Sequence, residues 1–363
     1  MGAHPSAPSG IGRDEKTLDA LIAADPEREL GADCAQRFGG RLPFLLKVLS
    51  AAKALSIQVH PSRAQAESGF AVENARGLPP GDPARNYVDD WPKPELLYAL
   101  TPFEVAAGMR DPVDAARLLR FLAVDQLEPL AARLEASPGS LALAAVLGSV
   151  LEWPDARRPE LVAAVVAACA RLAAAGGRYA GACAAAARVA ADHRGDLGVI
   201  ALLLLRHAVL RPGQAVFLPA GGLHAYLRGT GIELLANSDN VIRAGLTGKH
   251  IDVPELLNLV DPAVAVPVLE PRVLADGVSS FDTPAPEFRL YLVDLAAEAL
   301  TLPGSGPRIL LCLEGSATLR TGQDTLRLRR GESCFVSAAD GPARADGRAR
   351  LALAATAGSV SAG

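Results

Sequence analysis

A mainly β protein with an α-helical insertion, organised as two jelly-roll β-barrels plus a helical domain, is the fold class this 363-residue sequence predicts. Three observations carry that expectation. Short apolar or alternating runs bounded by Pro and Gly occupy residues 42–110 and 211–262. Between them lies a stretch rich in Ala, Leu and Arg with helical periodicity, punctuated by Pro112, Pro129, Pro138, Pro159 and Gly176-Gly177. From Ala263 onward, strand-like segments recur between Gly, Pro and Asp turns about every ten residues, as all-β barrels require. The expected organisation is therefore a first barrel from residues 1–110 and 211–262, a helical insertion at 111–210, and a second barrel at 263–363.

In chain order, residues 1–12 read as loop and 17–24 as a short helix with Leu18, Leu21 and Ile22 at helical spacing. Residues 42–48 form an apolar run suited to a buried strand, broken only by Lys47. Residues 56–60 alternate, so Ser56, Gln58 and His60 share one face and Ile57 and Val59 the other. Pro61 ends that strand; a helix over 63–77 and a loop over 78–83 follow. Lys93-Pro94-Glu95 leads into a strand at 96–100. Four or five helices fit 111–210, one of them 159–175 with Pro near its start. Strands return over 210–235, a short helix spans 252–261, and 309–315 and 326–328 are the clearest strands of the tail.

Composition excludes several classes. The formal charge of −4 argues against nucleic-acid and anionic-membrane partners. Five scattered cysteines, none in C-x-x-C spacing, give neither a disulfide framework nor a zinc finger, and point to a reducing cytoplasm. The apolar runs, 199–205 among them, are too short to span a bilayer, and nothing resembling a signal peptide opens the chain.

Residues 213–224 carry the pattern G-x5-P-x-G-x2-H, in which a strand stops at Pro219 and a glycine turn presents His224. This spacing resembles the second half of the metal signature of cupin barrels. Residues 331–336 repeat the preceding strand, but Ser337-Ala338-Ala339 stands at the corresponding turn, so the second barrel is expected to hold no metal. Gln58 and His60, Glu95 and His224 each lie at an expected strand end. Two imidazoles, a carboxylate and an amide oxygen suit Zn²⁺ or another first-row divalent ion. Each has an ordinary structural explanation when taken alone.

Further text makes a resemblance to the type I mannose-6-phosphate isomerases (phosphomannose isomerases). It runs through Leu42-Pro43-Phe44-Leu45-Leu46-Lys47-Val48, Leu55-Ser56-Ile57-Gln58-Val59-His60-Pro61 and Lys93-Pro94-Glu95-Leu96. It continues in His224-Ala225-Tyr226-Leu227 and Asn237-Ser238-Asp239-Asn240-Val241-Ile242-Arg243-Ala244-Gly245-Leu246-Thr247, closing at Lys249. The resemblance implies one zinc ion bound by Gln58, His60, Glu95 and His224, a catalytic Arg243, and interconversion of mannose 6-phosphate and fructose 6-phosphate. Such a reaction needs a base; Glu233, Asp239 and Lys93 are the candidates from matching motifs. Lys47, Ser56 and Lys249 match positions of phosphate or substrate contact. A snorkelling strand lysine is the ordinary reading of Lys47, but a charge inside the run 44–49 favours the functional one.

Three departures from the family pattern stand out. A further opening stretch with Tyr-x-Trp-Gly ordinarily precedes a run like Met1-Gly2-Ala3-His4-Pro5-Ser6; a barrel lacking it is expected to show an unpaired edge. Trp91-Pro92 replaces the usual Asn-His, and Gly248 replaces proline. The expected partner is a small phosphorylated sugar. Two other readings compete with the isomerase: a catalytically weak sugar-phosphate-binding cupin, and an Fe²⁺ cupin oxygenase. The last is disfavoured because such sites use more histidines, and this chain has six, of which His4, His193, His207 and His250 lie outside the ligand motifs.

Overall fold

The computed structural model describes residues 1–12, 16–296, 298–322 and 324–357. Helices α1 (Leu18–Ala24), α2 (Pro26–Leu30) and α3 (Ala32–Arg37) precede β1 (Phe44–Ala51), and β2 (Ile57–Val59), α4 (Arg63–Ala75), β3 (Glu95–Ala99) and β4 (Phe103–Met109) follow. The insertion comprises α5 (Pro112–Leu122), α6 (Glu128–Ala136), α7 (Ser140–Leu151), α8 (Arg158–Ala175), α9 (Ala180–Asp192) and α10 (Gly198–Leu203). The first sheet resumes with β5 (Leu205–Leu210), β6 (Ala215–Leu218), β7 (His224–Ala236) and β8 (Ile242–Gly245), then α11 (Val253–Leu259) and β9 (Val268–Leu269). An eight-stranded second sheet is built from β10 (Arg272–Ala275), β11 (Val278–Ser280), β12 (Arg289–Ala296), β13 (Leu300–Thr301), β14 (Arg308–Thr321), β15 (Asp324–Arg329), β16 (Ser333–Val336) and β17 (Ala343–Ala355).

Several boundaries differ from expectation, for physical reasons. Among the described residues the insertion has six α-helices rather than four or five, because the apolar run 199–205 divides into the end of α10 and the start of β5. Every residue of that run is buried, so no amphipathic period distinguishes helix from strand. The sheet consequently resumes at Leu205 rather than 210. β9 pairs with β6, which ties residues 268–269 to the first sheet and not to the tail. β1 starts after Pro43, which has no N–H to offer a ladder. Its edge away from β7 is met by Met1, whose amino group donates to the Leu46 carbonyl at 2.7 Å and whose carbonyl accepts from the Leu46 N–H at 3.0 Å.

β7 is the common spine of the first barrel. Its early residues pair with β2 and β4, and its later residues with β1 and β3. Arg228 lies opposite Glu104 and Tyr226 opposite Val105, so two steps of β7 match one of β4 and Leu227 is the extra residue of a bulge. Just beyond, Gly229 takes φ +138° where a Cβ would fall 2.7 Å from the Phe103 ring. Three apolar layers result. Leu97, Phe103, Val105, Leu218 and Tyr226 fill the barrel; Ala225 and Leu227 face the insertion helices. Phe44, Leu46, Leu96, Tyr98, Ile232 and Leu234 pack against Phe281, Phe288, Leu290, Ile309 and Leu311 of the second sheet. At about 1.5–3 kcal/mol for each large apolar side chain fully buried, this layer is the main tie between the sheets. No helix among the described residues is long and apolar enough to cross a membrane.

Candidate metal centre

Three buried side chains converge on one point inside the first barrel. Glu95 opens β3 and is opposite Leu218 of β6 and Leu235 of β7. His60 directly follows β2, and His224 opens β7 after the glycine turn. His60 Nε2 lies 3.3 Å from Glu95 Oε1, and His224 Nε2 lies 3.6 Å from Glu95 Oε2. One ligand atom from each falls within 4.8 Å of the others.

The imidazole tautomers follow from their partners. His60 Nδ1 donates to the Asn240 carbonyl at 2.7 Å, and His224 Nδ1 to the Gly222 carbonyl at 2.9 Å. A carbonyl only accepts, so each Nδ1 bears a proton, which in the neutral ring leaves Nε2 as the lone-pair donor. Both Nε2 atoms are buried without a hydrogen-bond partner. Burial, then the charge of Lys93, pushes His60 down to about 4. Burial alone would raise Glu95, but Lys93 and His60 hold it well below the usual carboxylate range. Two imidazoles whose Nε2 atoms lack a hydrogen-bond partner, around an ionised carboxylate, form a donor set that fits a first-row divalent cation.

Around this cluster Lys93 Nζ lies 3.1 Å from Glu95 Oε1, and the Tyr226 hydroxyl donates to Glu95 Oε2 at 3.2 Å. Gln58 stands opposite His224 on one side and Arg243 on the other. Directly paired residues of antiparallel strands project to the same face, which puts Gln58 and Arg243 on the ligand face. Lys47 pairs with Glu233 across β1 and β7, with 3.6 Å between charges. Lys47 itself is 45% exposed, whereas Glu233 is buried. Burial, and then the negative Glu95, raises Glu233 to about 7.

Other expected residues lie apart from this cluster. The Asp239 carboxylate is 53% exposed and sits 3.2 Å from His4 Nε2. Ser56 lies half-buried just before β2, and Lys249 is exposed beyond β8. Sequence reasoning gave no role to Tyr226 or Asn240. Tyr226 had a usable signal, since it lies two residues after His224 and hence on its face. Asn240 acts through its backbone carbonyl on His60, which no residue type advertises. Its side-chain amide donates to the carbonyls of Asp89 at 2.8 Å and Trp91 at 2.9 Å. Trp91 is buried beneath Arg41, whose guanidinium carbon is 4.3 Å from the ring centroid.

Comparison with known proteins agrees with this geometry. Residues 1–112 match the family model of the phosphomannose isomerase type I catalytic domain, and residues 278–356 match the mannose-6-phosphate isomerase cupin domain. The chain is 39% identical over 358 residues to mannose-6-phosphate isomerase of Salmonella typhimurium, covering 97% of this chain and 89% of that one. It is 32% identical to the enzyme of Bos taurus, covering 93% and 83%. A crystal structure of mannose 6-phosphate isomerase with zinc bound superposes with a TM-score of 0.87 at 37% identity, covering 98% of this chain and 90% of that chain.

Proposed function

The chain belongs to the type I phosphomannose isomerase family, and on that premise we propose that it interconverts mannose 6-phosphate and fructose 6-phosphate through a cis-enediolate, with one zinc ion held by Gln58, His60, Glu95 and His224. The observation that carries the reading is the pair of buried, unpartnered Nε2 atoms flanking the Glu95 carboxylate. Zinc bound there would supply Lewis-acid polarisation of sugar oxygens.

Moving the carbonyl from C1 to C2 takes a proton from C2 and delivers one to C1. Glu233 suits that shuttle better than Lys93 or Asp239, because a group poised near 7 can both accept and return a proton. Lys93 lies against the Glu95 carboxylate, and Asp239 is exposed beside His4, apart from the ligand cluster. Lys93 supports the ionised form of the Glu95 ligand. Arg243 places a permanent positive charge on the ligand face, where it stabilises the developing enediolate oxygen. Lys47, Ser56 and Lys249 bind the phosphate and the sugar. The reaction would serve supply of GDP-mannose or entry of mannose into glycolysis, in the cytoplasm.

The test is production of fructose 6-phosphate from mannose 6-phosphate before chelation, after it, and after zinc is restored. Loss on chelation and recovery with zinc is the expected result. His224→Ala should lose zinc and activity together, and full zinc in that variant would refute the ligand assignment. A second reading, a sugar-phosphate binder of weak activity, rests on Pro92 standing where the family has histidine. A folded, zinc-loaded protein without turnover would favour it.

A further inference from the structure

The segment that follows Arg243 is held by the helical insertion. Leu246 is buried and takes φ +56°, a left-handed conformation uncommon for a branched side chain. Such backbone persists where its surroundings over-determine it, and it collects at functional sites. Here those surroundings come from the loop between α9 and α10. Asp196 accepts through Oδ1 from the Gly198 N–H at 2.7 Å and through Oδ2 from the Thr247 N–H at 3.2 Å. Gly198 permits that closeness: a Cβ on it would fall 2.6 Å from the Leu246 nitrogen and 2.9 Å from the Gly245 Cα. On the far side of the turn, the Thr247 hydroxyl accepts from the Lys249 N–H at 3.1 Å. A relay therefore runs from Asp196 through Thr247 to the backbone of Lys249.

We propose that Asp196 is a positioning residue for recognition of the substrate's phosphate. By holding the Thr247 N–H it fixes the left-handed turn at Leu246, and with it the backbone from which Lys249 reaches the phosphate. The inference rests on the assignment of Lys249 to phosphate contact made above. It gives the insertion a part in binding that neither its composition nor its periodicity suggests. A carboxylate is suited to the task because it only accepts and can take two N–H groups at once.

The test compares kcat and KM for mannose 6-phosphate, zinc content and thermal midpoint in Asp196→Asn, Lys249→Ala and the double variant of the full zinc-loaded chain. Asn keeps an acceptor for Gly198 but turns a donor toward Thr247. The expected result for Asp196→Asn is KM raised about tenfold with kcat within about twofold. The double variant should show no further rise over Lys249→Ala alone, since the two act through one contact. Additive KM effects, or a lowered thermal midpoint with KM unchanged, would overturn the proposal. Lys249→Ala with unchanged KM would instead overturn the phosphate assignment beneath it. Should Asp196→Asn fail to fold, Thr247→Ala removes only the second link of the relay. A raised KM there supports the proposal, and an unchanged KM sinks it.

Discussion

His60 and His224 each commit Nδ1 to a backbone carbonyl, and this fixes what the single residues of the site can do. The carbonyls of Asn240 and Gly222 set the tautomers, so metal affinity depends on backbone position as much as on the ligands themselves. Arg243, proposed to stabilise the enediolate oxygen, lies on the same face but outside the buried cluster. Arg243→Ala should therefore keep zinc at full stoichiometry while lowering kcat by roughly two to three orders of magnitude. Loss of zinc in that variant would show that Arg243 supports the ligands instead. Of these residues, His60, Glu95 and His224 were legible in the sequence, because ligand types at strand ends next to Pro or after a Gly turn form a readable pattern. The pairing of Asp239 with His4 was not legible, since it joins two loops far apart in the chain.

At the scale of elements, one carboxylate joins α9 to two strands of the first sheet. Glu104 of β4 is bonded by His207 of β5 at 2.8 Å and by Arg188 of α9. Burial pushes Glu104 up, but the His207 hydrogen bond and the Arg188 charge outweigh it and hold Glu104 below the ordinary carboxylate value. A carboxyl depressed in the folded state contributes stability above its unfolded pKa and loses it as pH falls through the folded value. Glu104→Gln should thus destabilise the protein by about 1–2 kcal/mol at neutral pH, with the difference closing in acid. Urea midpoints at both pH values would show it, and an equal deficit in acid would contradict the electrostatic origin. Elements with a clear stop or cap were legible, as in α4, where Ser62 and Gln65 make a capping box. The passage from α10 to β5 was not, because 199–205 is buried throughout and so lacks the period that separates helix from strand.

For the whole molecule, the layer between the two sheets contains an imperfectly satisfied charge. Glu287, between β11 and β12, is 2% exposed and meets Arg63 of α4 at 3.3 Å, while its Oε2 has no partner. Burial raises its pKa despite Arg63. The sign is opposite to that of Glu104: a carboxyl raised in the folded state favours folding at low pH, and that contribution is lost as pH rises from the ordinary carboxylate value through the raised one. Glu287→Gln should raise the thermal midpoint at neutral pH, and the gain should shrink in acid. A lower midpoint at neutral pH would mean that the Arg63 pair outweighs the burial cost. The division into barrel, insertion and barrel was readable from changes in periodicity. The shared apolar layer was not, because a strand buried on both faces does not say which neighbour covers which. The bulge at Leu227 has a consequence for how such a chain can vary in length. Strand side chains alternate, so the odd-numbered step from His224 to Glu233 would send one inward and the other outward in an unbroken ladder. The extra residue corrects that parity. Deleting Leu227 would leave every ligand and acid in the sequence while turning either the imidazole or the carboxylate out of the barrel. Gaps and insertions among relatives should therefore gather in the helices and be excluded from this one stretch of strand.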